Sequence, residues 1–228
     1  MPAGPRELRS QGKKTRAKLL DAGMRVLAER GYQATRVDDI VRVADTSHGT
    51  FYRYFENKDA LFAALAHDAA ADMAALAREL GPVGPGPEGE TELRSFLGRF
   101  LETYERHGPV IRAWAENQVT DPAVVRLGLD TFGTIAGVLA ERVAEAGGSA
   151  GDEPLATTIL LATVERLVYF VTSRPLAIDA DPMLDELAGM LHRGFFGGGT
   201  ASAGRSRGGR SKARRSSGDT ADRAAASP

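Results

Sequence analysis

Cysteine is absent from the 228 residues. That excludes disulfide scaffolds, thiolate metal sites and thiol nucleophiles. Histidine is scarce: His48, His67, His107 and His192 lie far apart, with no metal-ligand spacing. There is no Gly-rich phosphate loop and no nucleophile motif, and the acidic residues are scattered. No catalytic residue, metal or cofactor is therefore expected, and the chain does not read as an enzyme. No long apolar run follows the basic N-terminus, so no signal peptide is expected. The most apolar stretch, 155–172, is interrupted by Glu165 and Arg166 and reads as a buried helix rather than a membrane span. A cytoplasmic location with no membrane partner is the expectation. Strands are missing too, because no alternating apolar run is bounded by turn residues.

What is present is helix. Apolar residues recur every three and four positions, which predicts an all-α fold of about nine helices. The first runs over about 10–30, with Leu20, Met24 and Leu27 on one face and Gly31 as its stop. Thr35 is expected to cap a short helix over about 36–44, with Val37, Ile40 and Val41 inward. Asp45-Thr46 makes a turn, Ser47 caps a second short helix to Tyr54, and Asn57 caps a longer one to about Leu80. GPVGPGPEGE, 81–90, interrupts the pattern. Five more helices are expected, over about 91–107, 109–119, 122–146, 154–173 and 182–196. Asp121-Pro122 and Asp181-Pro182 each read as cap plus first helical residue. The expected divisions are an arm (1–9), a helix-turn-helix head (10–57), a body (58–197) and a disordered basic tail (198–228), which has almost no large apolar residue.

The net charge of −1 conceals an asymmetry: residues 1–60 carry 12 Lys/Arg against 8 Asp/Glu, residues 61–197 carry 10 against 20, and residues 198–228 carry 7 against 2. A basic front on an acidic body suits a polyanionic partner. The tail segment SRGGRSKARRS, 206–216, would add non-specific affinity for DNA if it contacts phosphates.

TSHGTFYRYFENK, 46–58, concentrates rings, hydroxyls and cations. Two short helices after a longer one form a helix-turn-helix plan, in which the second short helix enters the major groove of double-stranded DNA. On that helix Phe51 and Phe55 face inward, while His48, Thr50 and Tyr52 are left outward. Gly49 lets the backbone approach the duplex, and hydroxyls and the Lys58 ammonium can bond phosphate oxygens.

TRVDDIVRVADTSHGTFYRYFENKDAL, 35–61, resembles the DNA-binding signature of the TetR family of transcriptional repressors. The matches are Thr35, Ile40, Ala44, Ser47, Gly49, Thr50, Phe51, Tyr52, Tyr54, Phe55 and Lys58. The resemblance implies DNA-contact positions at Thr35, Ser47, His48, Gly49, Thr50, Tyr52, Tyr54 and Lys58. Two departures stand out: Asp45-Thr46 replaces the family's usual Gly-Val, and His48 occupies a base-facing position often basic or small in the family.

One recognition helix reads few base pairs, so a homodimer on a palindromic operator is expected. The resemblance implies that the last two helices meet their copies in a four-helix bundle, with Leu160, Val164, Leu184, Leu187, Leu191 and Phe195 as candidate dimerisation residues. It also implies a cavity for a small-molecule effector, whose binding shifts the two heads. Phe96, Phe100, Tyr104, Trp114, Phe132 and Tyr169 gather rings in the middle helices, and Asn117 and Gln118 are candidate polar anchors. ETYERH, 102–107, is faintly similar to the actinobacterial ethionamide-resistance-type repressors, whose pockets are long and apolar. The resulting expectation is a ligand-responsive repressor released by a mostly apolar effector. The alternative is a helical partner-binding adaptor with a degenerate DNA-binding head.

Overall fold

A computed structural model describes residues 5–147, 153–173 and 178–197. The tail expected over 198–228 lies outside these residues. Among the described residues the secondary structure is helical throughout: α1 (Pro5–Ala34), α2 (Val37–Val43), α3 (His48–Tyr54), α4 (Lys58–Arg78), α5 (Pro87–Ala115), α6 (Pro122–Glu145), α7 (Glu153–Ser173) and α8 (Ala180–Leu191), closed by a π-helical turn, His192–Phe196. Eight α-helices replace the nine expected, for one reason. The two helices predicted over 91–107 and 109–119 are a single helix, α5, with Pro109 inside it. Pro109 cannot donate to the Glu105 carbonyl. Even so, the flanking Tyr104, His107 and Val110 are all buried, so breaking the helix there would expose core.

The chain builds two adjoining cores. The head core gathers Leu19, Val26 and Leu27 of α1, Ile40 of α2, Phe51 of α3, and Leu61 and Phe62 of α4. It extends into the body through Val110, Ala113, Val119 and Val124. The body core is built from the far half of α4, from α5, and from the inner faces of α6, α7 and α8. α4 contributes to both cores and is the longest contact between head and body. α4, α6 and residues Pro154–Thr172 of α7 are each long and apolar enough to cross a membrane; here they pack on one another in the bundle.

Several caps match their sequence expectation. Ser47 accepts from the Thr50 amide, Asn57 from Ala60 and Asp121 from Ala123. Others differ. α1 starts at Pro5, inside the stretch expected to be an arm. Thr35 does not cap α2; its hydroxyl donates to the Gly31 carbonyl at 2.7 Å, and Arg36 holds the cap position without a side-chain bond. α8 is capped by Asp179 rather than Asp181, so the helix opens at Ala180, two residues before the expected start at Pro182.

The candidate dimerisation residues face inward. Leu160, Val164, Leu184, Leu187 and Leu191 are all buried in the chain's own core, and Phe195 packs against it. Their apolar surface is already used within one chain. The large apolar side chains that α7 and α8 turn outward include Ile159, 50% exposed, and Met190, 59% exposed.

Gly31 ends the regular part of α1 with φ 73° and ψ 170°, a conformation essentially restricted to glycine. A Cβ added there would meet nothing within 4 Å, so the constraint is purely backbone. Gly31→Ala is expected to destabilise the protein by about 1–3 kcal/mol, read from the midpoint of urea unfolding.

Candidate nucleic-acid interface and internal cavity

α3 has only seven residues, far too few for a stable isolated helix. It is held by tertiary contact. Phe51 is fully buried, Phe55 nearly so, and their rings lie 5.8 Å apart. The chain enters α3 through a tight turn in which Asp45 takes φ 44°. This is the left-handed conformation a glycine would adopt more cheaply, and Asp tolerates it better than most residues. The Ser47 hydroxyl also lies 3.0 Å from that of Thr50, which fixes the first turn.

This arrangement leaves a polar face outward. Ser47, His48, Gly49 and Tyr52 are exposed, Tyr52 by 56%, while Thr50 and Tyr54 are half-buried. A Cβ on Gly49 would meet only the Ser47 hydroxyl, at 3.8 Å, so the surface beside it is open. The His48 Nε2 lies 2.6 Å from the Asp38 carboxylate, which fixes the ring against α2. Sequence reading overlooked that partner and also the basic side chains near α3. Lys18 donates to the Asp45 carbonyl at 3.4 Å, and the Arg16 guanidinium lies 5.6 Å from the centre of the Phe55 ring. The available signal was the helical spacing of Lys14 and Lys18 on α1.

Two expected contact residues are engaged within the chain. Thr35 is 4% exposed, with its proton given to Gly31. Lys58 points its ammonium at the end of α1, donating to the carbonyls of Tyr32 at 3.1 Å and Gln33 at 3.3 Å. It also lies 5.0 Å from the centre of the Tyr32 ring. These are carbonyls that α1 leaves without a helical donor beyond Gly31. The Tyr32 hydroxyl in turn donates to Asp59 at 2.9 Å; burial, and then that carboxylate, push its pKa up to about 12. One tyrosine thus joins α1 to the first turn of α4.

A cavity of about 450 Å³ opens between α4, α5, α6 and α7. Of the eight ligand candidates, Phe100, Tyr104, Trp114, Asn117 and Phe132 line it. Three do not. Phe96 is buried in the body core beside Phe100, and the Gln118 amide is turned to Glu116. Tyr169 donates to Glu116 at 2.9 Å, a bond that raises its pKa, and carries the Arg166 guanidinium over its ring. The remaining wall is largely aliphatic and includes Met73, Ile111, Val125, Leu129 and Leu161, with Glu165 and Arg166 at one side. Sequence reading favoured rings and so passed over these aliphatics, although Val125 and Leu129 sit four apart on α6.

Gly128 explains one of the α6 glycines. A Cβ there would stand 3.3 Å from Trp114 Nε1, so the bare backbone lets the indole edge lie close against α6. No such contact exists at Gly133 or Gly137, where a Cβ would meet nothing.

Comparison with known proteins matches residues 19–65 to the family described as "Bacterial regulatory proteins, tetR family". The match covers the region from α1 into the first turns of α4. Over 120 residues it is 35% identical to the HTH-type transcriptional repressor AcnR of Corynebacterium glutamicum, covering 50% of this chain and 64% of that protein. Over 128 residues it is 29% identical to the regulator EthR of Mycobacterium tuberculosis, covering 56% and 59% respectively. The chain therefore spans less than two thirds of the length of these curated relatives. Its fold resembles that of FadR from Bacillus subtilis, solved in complex with stearoyl-CoA, with a TM-score of 0.59 at 17% identity over 80% of this chain and 98% of that one.

Lys58→Met keeps the aliphatic stem and removes the ammonium. Losing its bonds to two carbonyls and its contact with the Tyr32 ring is expected to cost about 1–2 kcal/mol in urea unfolding. A lysine lying free on the surface would change stability by less than about 0.5 kcal/mol.

Proposed function

We propose that this chain is a ligand-responsive transcriptional regulator of the tetR family, acting as a repressor, that binds a palindromic operator as a homodimer. The observation that carries the reading is α3: a helix fixed by two buried rings, with its polar face turned away from the core. Ser47, His48, Gly49, Thr50 and Tyr52 supply the groove-facing set, and Tyr54 adds a hydroxyl beside it. Arg53 is an exposed cation on α3 and is assigned to a phosphate; Lys18 and Arg42 are exposed near it but are engaged by Asp45 and Asp39. Lys58 is assigned to structure first, because its ammonium is already engaged. A cytoplasmic location follows from a DNA target. Nothing in the geometry favours the adaptor alternative, since the outward polar face of α3 is intact.

Dimerisation is assigned to the outer faces of α7 and α8, around Ile159 and Met190, in place of the buried leucines. A two-fold pair would set two copies of α3 about one helical turn of DNA apart, or a multiple of it.

The effector reading rests on the shared walls of the cavity. α4 runs from the head core at Leu61 and Phe62 to Met73 at the cavity. Val119 lines the cavity and belongs to the head core as well. Next to it, the Gln118 carbonyl accepts from Gln33 of the head at 2.8 Å. A bound molecule that fits only one arrangement of these contacts would favour one spacing of the two heads, and operator DNA would weaken its binding reciprocally.

Genomic fragments retained by the purified protein supply the duplex for the test. Log affinity against log salt should fall with a slope of about −0.9 per phosphate contacted. His48→Ala is expected to change the preferred base at one position in each half-site, whereas Arg53→Ala should weaken all sequences alike and reduce the slope by about one contact. Salt-independent binding, or a strictly monomeric protein, would remove this reading.

A further inference from the structure

α5 ends in a turn that has little slack. Glu116 closes the helix and Asn117 takes φ 52°. The Asn117 amide donates back to the Trp114 carbonyl at 3.1 Å, and the Gln118 amide to the Ala113 carbonyl at 3.0 Å. This paired closure around a left-handed residue is the Schellman geometry, which asparagine enters more readily than most residues. It fixes Glu116 and Gln118 relative to each other. The Gln118 side chain adds a further tie, donating its amide to one oxygen of the Glu116 carboxylate.

Bonds leave this turn toward two other elements. Tyr169 of α7 donates to the second Glu116 oxygen at 2.9 Å, and the Arg166 guanidinium covers its ring at 5.0 Å. The Gln118 carbonyl accepts from Gln33 of α1 at 2.8 Å. The Gln33 carbonyl in turn accepts from Lys58, at the start of α4, at 3.3 Å. Polar contacts thus run from α7, through the turn, to α1 and α4 of the head. Glu116 and Gln33 are exposed, so water competes for these bonds and they add little to stability. What they fix is direction.

Building on the operator reading above, we propose that Tyr169, Glu116, Gln118 and Gln33 are positioning residues for DNA binding. They hold the head at one angle to α7. Because α7 is assigned to the two-fold contact, that angle sets the separation of the two copies of α3. None of the four is assigned to DNA itself. Asn117, next to Glu116, and Arg166, over Tyr169, both line the cavity. A guest there would therefore bear on the Tyr169–Glu116 bond from both of its ends.

The test uses the full chain and the genomic duplex it retains, together with versions carrying one or two base pairs inserted or removed between the half-sites. Wild-type protein is expected to bind the native spacing at least about tenfold tighter than the altered ones. Tyr169→Phe removes only the hydroxyl, and Gln33→Met removes the amide while keeping the length. Each should narrow the ratio of native to altered affinity by about 2–5-fold, the worth of one exposed hydrogen bond. The double variant should narrow it no further than either alone, because both cut the same chain of bonds. Affinity for a duplex with a single half-site should stay unchanged, and the Tm should move by less than about 2 °C. Residues that merely stabilise the fold would leave the spacing preference intact. An unchanged preference in both variants, additive losses in the double variant, or an equal loss on the single half-site overturns the proposal. Wild-type protein that binds no duplex, or binds all spacings alike, sinks the operator reading itself. Spacing-selective wild-type protein with unaltered variants sinks only the positioning role.

Discussion

The structure depends on α4 belonging to two cores at once. Its first turns place Leu61 and Phe62 under α1 and α3, while Met73 and Leu76 lie among the body helices. A helix of 21 residues spans about 30 Å, so one helix reaches from the head core into the body core. Its amino end is fixed by polar contacts: the Asn57 cap, the Lys58 ammonium on the end of α1, and Asp59 receiving the Tyr32 hydroxyl. Any rotation of α4 in the body must therefore appear as a displacement of the head.

α3 stands at the other extreme of stability. Seven residues cannot hold helical structure by their own hydrogen bonds. The segment is ordered because Phe51 and Phe55 bury their rings and Ser47 closes the first turn. Dividing the work this way leaves the outward residues His48, Gly49 and Tyr52 largely free of packing demands. On the DNA-binding reading proposed above, such positions can be chosen for groove chemistry without loss of fold. His48 is a partial exception, since Asp38 already holds its ring and puts a carboxylate beside a surface that would face phosphates.

Local chemistry was legible in the sequence wherever one residue decides the backbone. Gly31 stopping α1, Asp45 turning left-handed and Ser47, Asn57 and Asp121 capping their helices all follow from side-chain type and spacing. What failed to show was tertiary competition. Pro109 reads as a break, yet the buried residues on either side keep α5 continuous. The leucines of α7 and α8 form a clean stripe, but periodicity cannot say whether such a stripe faces its own chain or a second copy. Lys58 and Thr35 match a DNA-binding signature, and that match carries no information about their bonds to the end of α1. In the cavity the aromatic half of the wall was visible from composition; the aliphatic half resembles any helix core and was not.

Communication between cavity and head needs little energy. Useful allosteric coupling amounts to about 1–3 kcal/mol, and burying a single methylene is worth about 0.8 kcal/mol. Val119 and Trp114 line the cavity while packing against the head core, and Met73 lies on α4, which both cores share. On the effector reading proposed above, repacking two or three such side chains around a guest would move an energy of the required size into the head. Asn117, held at φ 52° between them, shows that the loop after α5 is already under backbone constraint. Its neighbour Gln118 is tied to Gln33 through its carbonyl, so a change in the loop is transmitted to α1 by a hydrogen bond as well as by packing. A wall made largely of adaptable aliphatics suits such coupling, because the bulk of a guest would decide which packing of the shared side chains has the lower free energy.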